Sequence, residues 1–254
     1  MGATLRAACA TSWQALERWL IPTACRVCSA ATADDAMVCG LCRSRWRPVV
    51  GPGCDRCGQP TLPEIACRLC AAWPEGFSGV RSAVWLEGGA RTAVHALKYG
   101  GWPRTADAMA RACRSLEPLR GAVTLVPVPL GSARLRRRGY NQAAVLAAAI
   151  GELTGTAVRP AQISRRRDTR TQTDLPPEAR AANVAGAFTA HGMRGEHIVL
   201  VDDVFTTGAT LAAAADACLA AGAAAVAGIT FARAPLALGE AAATLAARDR
   251  HTRT

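Results

Sequence analysis

Short apolar runs alternate with alanine-rich segments along the second half of the chain, and this pattern predicts strands followed by helices. Residues 198–201 are an apolar run in which three residues are β-branched, as is typical of a buried strand. Residues 211–221 follow as an alanine-rich helical segment, and Gly222 is placed to end that helix. We therefore expect a strand, a short loop and a helix in succession.

Segments further upstream predict the same kinds of element. A strand is predicted over residues 82–87, helices over 90–98 and 104–116, and another strand over 123–126. Prolines should end that second strand, since proline is disfavoured inside a central strand. Asn141 can cap a helix over 142–153, and a further strand is predicted over 157–164. Residues 74–79 are predicted to be a linker.

Two adjacent carboxylates, Asp202 and Asp203, come where the strand over 198–201 should end, and a threonine-rich loop with one glycine follows over 206–210. Free N–H groups at a helix start attract phosphate, and threonine hydroxyls add donors. Paired carboxylates can accept hydrogen bonds from a sugar diol. The pattern suits a ribose 5-phosphate, and a buried strand with an acidic helix start is the alternative. A P-loop and a dinucleotide loop are excluded, because their glycine patterns are absent here.

Residues 198–210 resemble the phosphoribosyl-pyrophosphate (PRPP) motif of type I phosphoribosyltransferases, because an apolar run precedes Asp-Asp, two further residues and Thr-Thr-Gly-Ala-Thr. In that family the two acids contact the ribose hydroxyls, so the resemblance implies catalytic roles for Asp202 and Asp203. The loop of that family wraps the 5-phosphate. The implied phosphate-binding residues are Thr206, Thr207, Gly208, Ala209 and Thr210.

Eight of the eleven cysteines lie in one N-terminal segment as four C-x-x-C pairs. A C-x-x-C turn brings two thiolates to one ion and tetrahedral zinc needs two such turns, so the pattern predicts two structural zinc sites. Disulfides would need an oxidising compartment, and a redox pair would not need four repeats. We predict sequential rather than interleaved pairing, although one site could be empty. The predicted ligand sets are Cys25, Cys28, Cys39 and Cys42, then Cys54, Cys57, Cys67 and Cys70.

The remaining cysteines, Cys9, Cys113 and Cys218, stand alone and are predicted to be small buried hydrophobic residues. Trp46 and several arginines lie among the cysteine pairs. They suit either contact with nucleic acid or a solvated face with a packing tryptophan, and we favour the second interpretation.

A basic segment follows the strand over 123–126 and leads to the helix capped by Asn141. Guanidinium groups pair well with phosphate oxygens, so this segment is a candidate pyrophosphate-binding loop, with a solvated basic loop as the alternative. Its proline turn consists of Pro127, Val128 and Pro129, and its arginines are Arg134, Arg136, Arg137 and Arg138.

Several of these features together resemble the ComF family, a phosphoribosyltransferase-like group linked to DNA uptake in natural transformation. They are the N-terminal cysteine pairs, Leu-Lys-Tyr at 97–99, Val-Pro-Val-Pro at 126–129, Arg-Gly-Tyr-Asn-Gln at 138–142, and a segment over 172–188. The resemblance implies an α/β fold with a type I phosphoribosyltransferase-like, mainly parallel sheet flanked by helices. We expect an N-terminal helix and double zinc-ribbon domain over 1–78, followed by the phosphoribosyltransferase-like domain over 79–234 that the resemblance implies. Residues 235–254 lie outside the resemblance and are expected to be a partly mobile extension.

The formal charge of +11 changes this picture little. Two four-thiolate zinc sites would lower the total to roughly +7, and part of that excess could serve a pocket for PRPP. Charge alone is therefore weak support for DNA binding. No segment is apolar enough for a membrane span and the first twenty residues lack a secretory core, so we expect a cytoplasmic protein.

The function implied by the resemblance is binding of Mg²⁺-PRPP and transfer of phosphoribosyl groups. Residues 165–174 are a candidate lid that closes over PRPP, although a plain surface loop is equally compatible with their composition. The sequence identifies neither the acceptor nor a general base. The alternative is a non-catalytic, zinc-containing DNA-handling factor with PRPP as a regulator, with single-stranded DNA and other competence proteins as partners.

Overall fold

The computed structural model describes residues 24–32, 36–60, 67, 69–167 and 184–235. The predicted N-terminal helix, Cys9, most of the candidate lid and all but the first residue of the C-terminal extension lie outside these ranges. So does most of the family-like segment over 172–188.

A five-stranded sheet with strand order β1-β7-β6-β2-β3 forms the centre of the protein, and all of its pairings are parallel. A second, two-stranded antiparallel sheet pairs β4 with β5. The predicted α/β class with a mainly parallel sheet is confirmed. The strands are β1 Phe77–Trp85, β2 Thr124–Pro127, β3 Ala157–Val158, β4 Ile163–Arg165, β5 Phe188–Ala190, β6 His197–Phe205 and β7 Ala225–Arg233.

Helices flank the central sheet, and local sequence signals fix several of their ends. Asn141 accepts a hydrogen bond from Ala143 N at 3.1 Å and thereby caps α5, as predicted. Gly222 follows α6 with φ +92°, which suits a helix end. The helices are α1 Gly40–Ser44, α2 Gly88–Tyr99, α3 Thr105–Cys113, α4 Ser132–Arg138, α5 Gln142–Thr154 and α6 Ala209–Ala220. In the part of the chain that the structure describes, no helix combines the length and apolar character needed to cross a bilayer.

The central sheet separates two hydrophobic cores. One core packs α2, α3 and α5 on one face and includes Trp46 and two cysteines of the first predicted zinc set. The other packs α6 and the small β4–β5 sheet on the opposite face and includes Trp73 and two cysteines of the second set. Each cysteine set therefore belongs to a different face of the sheet, named here the α5 face and the α6 face.

Several predicted boundaries were wrong. Residues 77–79 of the predicted linker belong to β1, because that strand pairs with β7 from Phe77 onward. The single strand predicted over 157–164 is two short strands, separated by a 3₁₀ turn at Pro160–Gln162. The arginines predicted to lie in a loop are on α4, which ends at Gly139 with φ +82°.

Candidate functional site

The carboxyl end of β6 leads directly into the threonine loop, defined here as residues 206–210. Gly208 has φ +77° and precedes the first residue of α6, so the chain turns sharply before the helix begins. The loop surrounds a small concavity that is partly open to solvent. Its lining consists of Asp202, Val204, Phe205, Thr206, Thr207, Gly208, Ala209, Thr210 and Leu211.

The sequence predicted that strand β6 ends at the acidic pair, but the strand continues beyond it. Its pairing with β7 continues from Asp202, opposite Thr230, to Phe205, opposite Arg233. Neighbouring side chains on a strand point to opposite faces, but the two acids still interact: Asp203 N donates to Asp202 Oδ1 at 2.8 Å. Asp202 lines the cavity on the α6 face, whereas Asp203 is buried on the α5 face.

The Asp203 carboxylate is paired with two side chains of the protein. Its Oδ2 lies 2.6 Å from Lys98 Nζ, and its Oδ1 accepts a longer hydrogen bond from Gln142 Nε2 at 3.4 Å. Only 3% of Asp203 is exposed, so this ion pair is largely removed from solvent. A contact between Asp203 and ribose remains a prediction, and it would require the carboxylate to be shared with Lys98.

This network joins the sequence segments that resembled a known family. Tyr140 donates its hydroxyl hydrogen to Leu97 O, and Arg138 donates to Gln142 Oε1. The Arg138 guanidinium also lies over the Tyr99 ring at 5.2 Å from its centroid. The segments 97–99 and 138–142 therefore meet beside the second acid of β6.

Burial and charge shift the pKa values of the two acids in opposite directions. Burial, reinforced by the adjacent Asp203 charge, raises the pKa of Asp202 to about 8. Burial also opposes ionisation of Asp203, but the Lys98 ammonium outweighs it and lowers the pKa of Asp203. The same attraction raises the pKa of Lys98 against the effect of its own burial. At neutral pH the Asp203–Lys98 pair is ionised, and Asp202 is the acid that titrates.

The proline turn lies at the same edge of the sheet. β2 pairs with β6 through Pro127 and Val201, and Val128 N donates to Val201 O at 3.0 Å. Asn141 Nδ2 then donates to Val128 O at 3.0 Å, which fixes the start of α5 against this turn. The cavity lining includes neither this turn nor the arginines of α4. The predicted roles of Pro127, Val128, Pro129, Arg136, Arg137 and Arg138 in substrate binding therefore remain predictions.

The eight paired cysteines form two clusters with the predicted sequential composition. In each cluster the four Sγ atoms lie within 4.8 Å of one another. The Sγ–Sγ distances include 3.8 Å for Cys28–Cys39, 3.5 Å for Cys54–Cys70 and 3.5 Å for Cys57–Cys67. Tetrahedral zinc with Zn–S bonds of about 2.3 Å requires Sγ atoms about 3.8 Å apart. The two clusters therefore fit zinc, and four thiolates leave no open position for catalysis at the metal.

Backbone groups prepare one cysteine of each cluster for ionisation. Val27 N and Cys39 N each donate to Cys25 Sγ at 3.4 Å. Burial opposes ionisation of Cys25, but such backbone donors outweigh it and lower its pKa to about 6. Backbone donors act in the same way on Cys54, whose pKa falls to about 7. Burial instead raises the pKa of Cys42, Cys57 and Cys70, so one thiolate in each cluster is favoured without metal and zinc binding would have to displace the other protons.

Comparison with known proteins places the chain in a family. The double zinc ribbon domain profile matches residues 16–72. Competence protein ComFC of Bacillus subtilis is 28% identical over 189 residues, which cover 70% of this chain and 75% of that protein. The DNA utilization protein YhgH of Salmonella typhimurium is 32% identical over 216 residues, which cover 81% of this chain and 95% of that protein. The chain belongs to the ComF family.

Two residues of this ComF-family site were missed by reasoning from the sequence. From the sequence, Lys98 and Gln142 were placed only within predicted helices and family-like segments, and neither residue was given a role at the site. Both contact Asp203. The available signal was their position within the two ComF-like segments, 97–99 and 138–142, but only the folded chain shows that these segments meet at one carboxylate.

Proposed function

We propose that this ComF-family protein binds Mg²⁺-PRPP in the cavity beside the threonine loop and transfers phosphoribosyl groups from it. The observation that carries the proposal is the position of this cavity. It lies at the carboxyl end of a central parallel strand, before a helix N-terminus, and an acid lines it. Ligands of open α/β sheets bind at this edge.

The cavity lining supplies suitable groups for both ends of a ribose 5-phosphate. Thr206, Thr207 and Thr210 provide hydroxyls, and the first turn of α6 provides a positive dipole end and backbone N–H groups for the phosphate. The Asp202 carboxylate can accept hydrogen bonds from ribose hydroxyls. Because Lys98 neutralises Asp203 and burial keeps Asp202 largely protonated at neutral pH, the two acids oppose the approach of a polyanion only weakly.

Transfer would break the bond between ribose C1 and a pyrophosphate oxygen and form a bond from C1 to an acceptor nucleophile. Mg²⁺ bound with PRPP would neutralise charge on the departing pyrophosphate. The arginines of α4 are the protein groups proposed to assist, since they follow the neighbouring strand β2 at the same edge.

Isothermal titration calorimetry with Mg²⁺-PRPP tests the binding step. Above pH 8, where Asp202 is largely ionised, we expect wild-type affinity in the micromolar range and a loss of about tenfold or more in Asp202→Asn, because a hydrogen bond to a charged group is removed. Asp216→Asn is the matched control, since Asp216 is exposed on α6 and does not line the cavity. Absence of PRPP heat in the wild type would refute the proposal.

The second candidate function is DNA handling without catalysis, and a separate surface favours it. Tyr99 is 63% exposed and Trp102 is 38% exposed, close to arginine side chains. The Arg26 guanidinium lies 3.5 Å from the Trp102 ring centroid, and Arg138 lies over Tyr99. Exposed aromatic rings beside arginines are typical of single-stranded nucleic acid binding. The names of the relatives, which refer to DNA utilization and competence, agree with this function.

Fluorescence anisotropy with a single-stranded oligonucleotide tests this second candidate. We expect affinity that falls steeply with salt and that weakens by about tenfold in the Tyr99→Ala, Trp102→Ala double variant. Leu153→Ala is the control, because Leu153 is also 38% exposed but lies on α5 without such arginine contacts in the described residues. Binding that is insensitive to both salt and the double variant would remove this candidate.

A further inference from the structure

Gly208 is the turning point of the threonine loop, and an aromatic wall stands against it. A Cβ atom at position 208 would lie 2.3 Å from Trp73 Cζ2 and 2.8 Å from Phe205 Cε2. Real Cβ contacts are longer, so the two rings reach the Gly208 backbone as closely as packing allows. One side of the loop is therefore formed by the N-terminal part of the chain, far away in sequence.

Trp73 belongs to the turn that follows the second cysteine cluster, the set Cys54, Cys57, Cys67 and Cys70. Its backbone N–H donates to Cys70 O at 3.1 Å, so the ring is carried by the last cysteine turn of the cluster. The ring packs against Phe77 at 4.9 Å and against Phe205 at 6.1 Å between centroids. Trp73 is thus buried between the second cluster and the end of β6.

Two arginines reinforce the connection between the second cluster and the end of β6. Arg56 donates to Cys70 O at 3.2 Å, to Pro74 O at 2.9 Å and to Phe77 O at 3.0 Å. Arg233, at the end of β7, donates to Cys57 O at 2.6 Å, and its guanidinium lies 4.4 Å from the Phe205 ring centroid. Both charged groups are directed at the backbone of the cluster and its connecting turn.

The first cysteine cluster is placed differently. Its neighbouring tryptophan, Trp46, packs edge-on against Phe231 at 4.9 Å between centroids, within the core of the α5 face. The threonine loop begins α6 on the opposite face. The protein therefore contains two similar cysteine clusters with similarly buried tryptophans, and Trp73 is the one whose ring contacts the loop.

We infer that Trp73 is a positioning residue through which the second cysteine cluster sets the shape of the threonine loop. The inference rests on the proposed function for the identity of the ligand, but the mechanical connection itself does not. Zinc at this cluster would hold Cys70 and its turn, the turn holds the Trp73 ring, and the ring supports the Gly208 backbone. The first cluster stabilises the other core and does not shape the loop.

The test compares Trp73→Leu with Trp46→Leu in the full chain. Three quantities are measured for each variant: bound zinc by elemental analysis, amide hydrogen exchange of peptides spanning residues 205–212, and Mg²⁺-PRPP affinity by calorimetry. With two zinc ions retained, we expect Trp73→Leu to speed exchange in the loop and to weaken PRPP binding by about tenfold or more. Trp46→Leu should leave both loop exchange and affinity within about twofold of wild type.

Trp73→Phe is the conservative variant, and it should restore part of the exchange protection because a ring again lies against Gly208. Equal effects of the two leucine variants on loop exchange, or no effect of Trp73→Leu, would overturn the inference. If Trp73→Leu does not fold, Trp73→Phe is compared with Trp46→Phe. Faster loop exchange in Trp73→Phe than in Trp46→Phe then supports the inference, and equal exchange overturns it. A wild type that gives no PRPP heat but shows the expected exchange difference would refute the proposed function and leave the connection standing.

Discussion

The two faces of the central sheet are covered in similar ways, yet they differ at the carboxyl end of β6. On the α5 face, Asp203 is buried and paired with Lys98 at 2.6 Å. On the α6 face, the neighbouring Asp202 lines an open cavity with the threonine loop. Strand alternation directs the two side chains to different faces, and of the two acids only Asp203 then pairs with Lys98 on α2, at 2.6 Å. Two identical neighbouring acids therefore have different environments and should have different tasks.

The same contrast holds for the zinc clusters. Trp46 beside the first cluster packs into the core of the α5 face, whereas Trp73 beside the second cluster packs against the loop at the candidate site. The first cluster thus supports the core of the α5 face, whereas the second lies beside the candidate cavity on the α6 face. Variants matched across the sheet can test whether the two faces really differ in this way.

Replacement of Lys98 by methionine should have the largest effect, because it leaves the buried Asp203 carboxylate without its partner. We expect a loss of about 4 kcal/mol in the free energy of unfolding at neutral pH. Without Lys98 the folded-state pKa of Asp203 would rise above its unfolded value, so the deficit should grow as pH increases. Chemical denaturation of Lys98→Met at several pH values measures both effects.

Lys98→Arg is the control, since it keeps a positive charge near Asp203. Addition of Asp203→Asn to Lys98→Met should recover part of the stability and remove the share of its pH dependence that comes from Asp203. A Lys98→Met variant as stable as the wild type would mean that the α5 face does not depend on this ion pair.

Gly208→Ala tests the α6 face. The new Cβ would meet the Trp73 and Phe205 rings, and the φ of +77° is unfavourable for alanine, so we expect a loss of about 3 kcal/mol. Gly155→Ala is a matched control, because Gly155 has φ +72° but nothing within 4 Å of a new Cβ. That control should lose only about 1 kcal/mol. Equal losses in thermal or chemical unfolding would contradict the close packing against Gly208.

Titration of Asp202 should change PRPP affinity with pH, whereas it should leave the Lys98–Asp203 ion pair intact. The pKa of Asp202 is raised to about 8, and the ionised form is the better acceptor for ribose hydroxyls. As the pH increases toward 8, PRPP affinity should therefore rise by up to about tenfold per pH unit. This rise comes in addition to the change caused by the ligand's own phosphates. Calorimetry in Asp202→Asn supplies the reference curve. A wild-type curve parallel to that reference would show that Asp202 does not titrate in binding.

The same raised pKa has a consequence for stability, with the opposite sign from the usual acid. The folded state favours the neutral form of Asp202, so its contribution to stability is greatest at low pH and is lost as pH rises toward 8. Asp202→Asn should therefore gain stability relative to wild type as pH increases, as measured by chemical denaturation.

The smallest effects are expected where the two faces are alike. Cys113 on α3 and Cys218 on α6 are both fully buried, and burial raises the pKa of each thiol to about 12. Cys113→Ala and Cys218→Ala should each lower the free energy of unfolding by about 1 kcal/mol, with PRPP affinity unchanged. A strong loss of affinity in Cys218→Ala alone would show that the α6 core is coupled to the cavity more widely than through Trp73.

Local signals in the sequence were sufficient for much of the fold. The C-x-x-C spacing predicted the two sequential cysteine clusters, since zinc geometry requires thiolates to converge in pairs. The Asn141 cap and the Gly222 stop were also predicted correctly, because each depends on a few neighbouring residues. The isolated Cys113 and Cys218 are buried, as expected for small hydrophobic residues.

Features that depend on residues far apart in the sequence could not be predicted from local signals. The end of β6 was placed too early, because polar Asp202 and Asp203 hide a strand that continues by pairing with β7. Lys98 was not identified as a partner of Asp203, since the two residues are far apart in sequence. Trp46 was predicted to pack, but its contact with Phe231 could not be. The site roles of the arginines on α4 remain predictions.

The pairing of β1 with β7 has a consequence for how the protein is made. The Ser78 hydroxyl donates a hydrogen bond to Val226 O, 148 residues later in the chain. The sheet therefore cannot be completed until nearly all of the described chain has left the ribosome. The cysteines emerge much earlier and need only one another to bind metal. Zinc coordination should therefore come first during synthesis, while Trp46 and Trp73 still await the strands that will bury them.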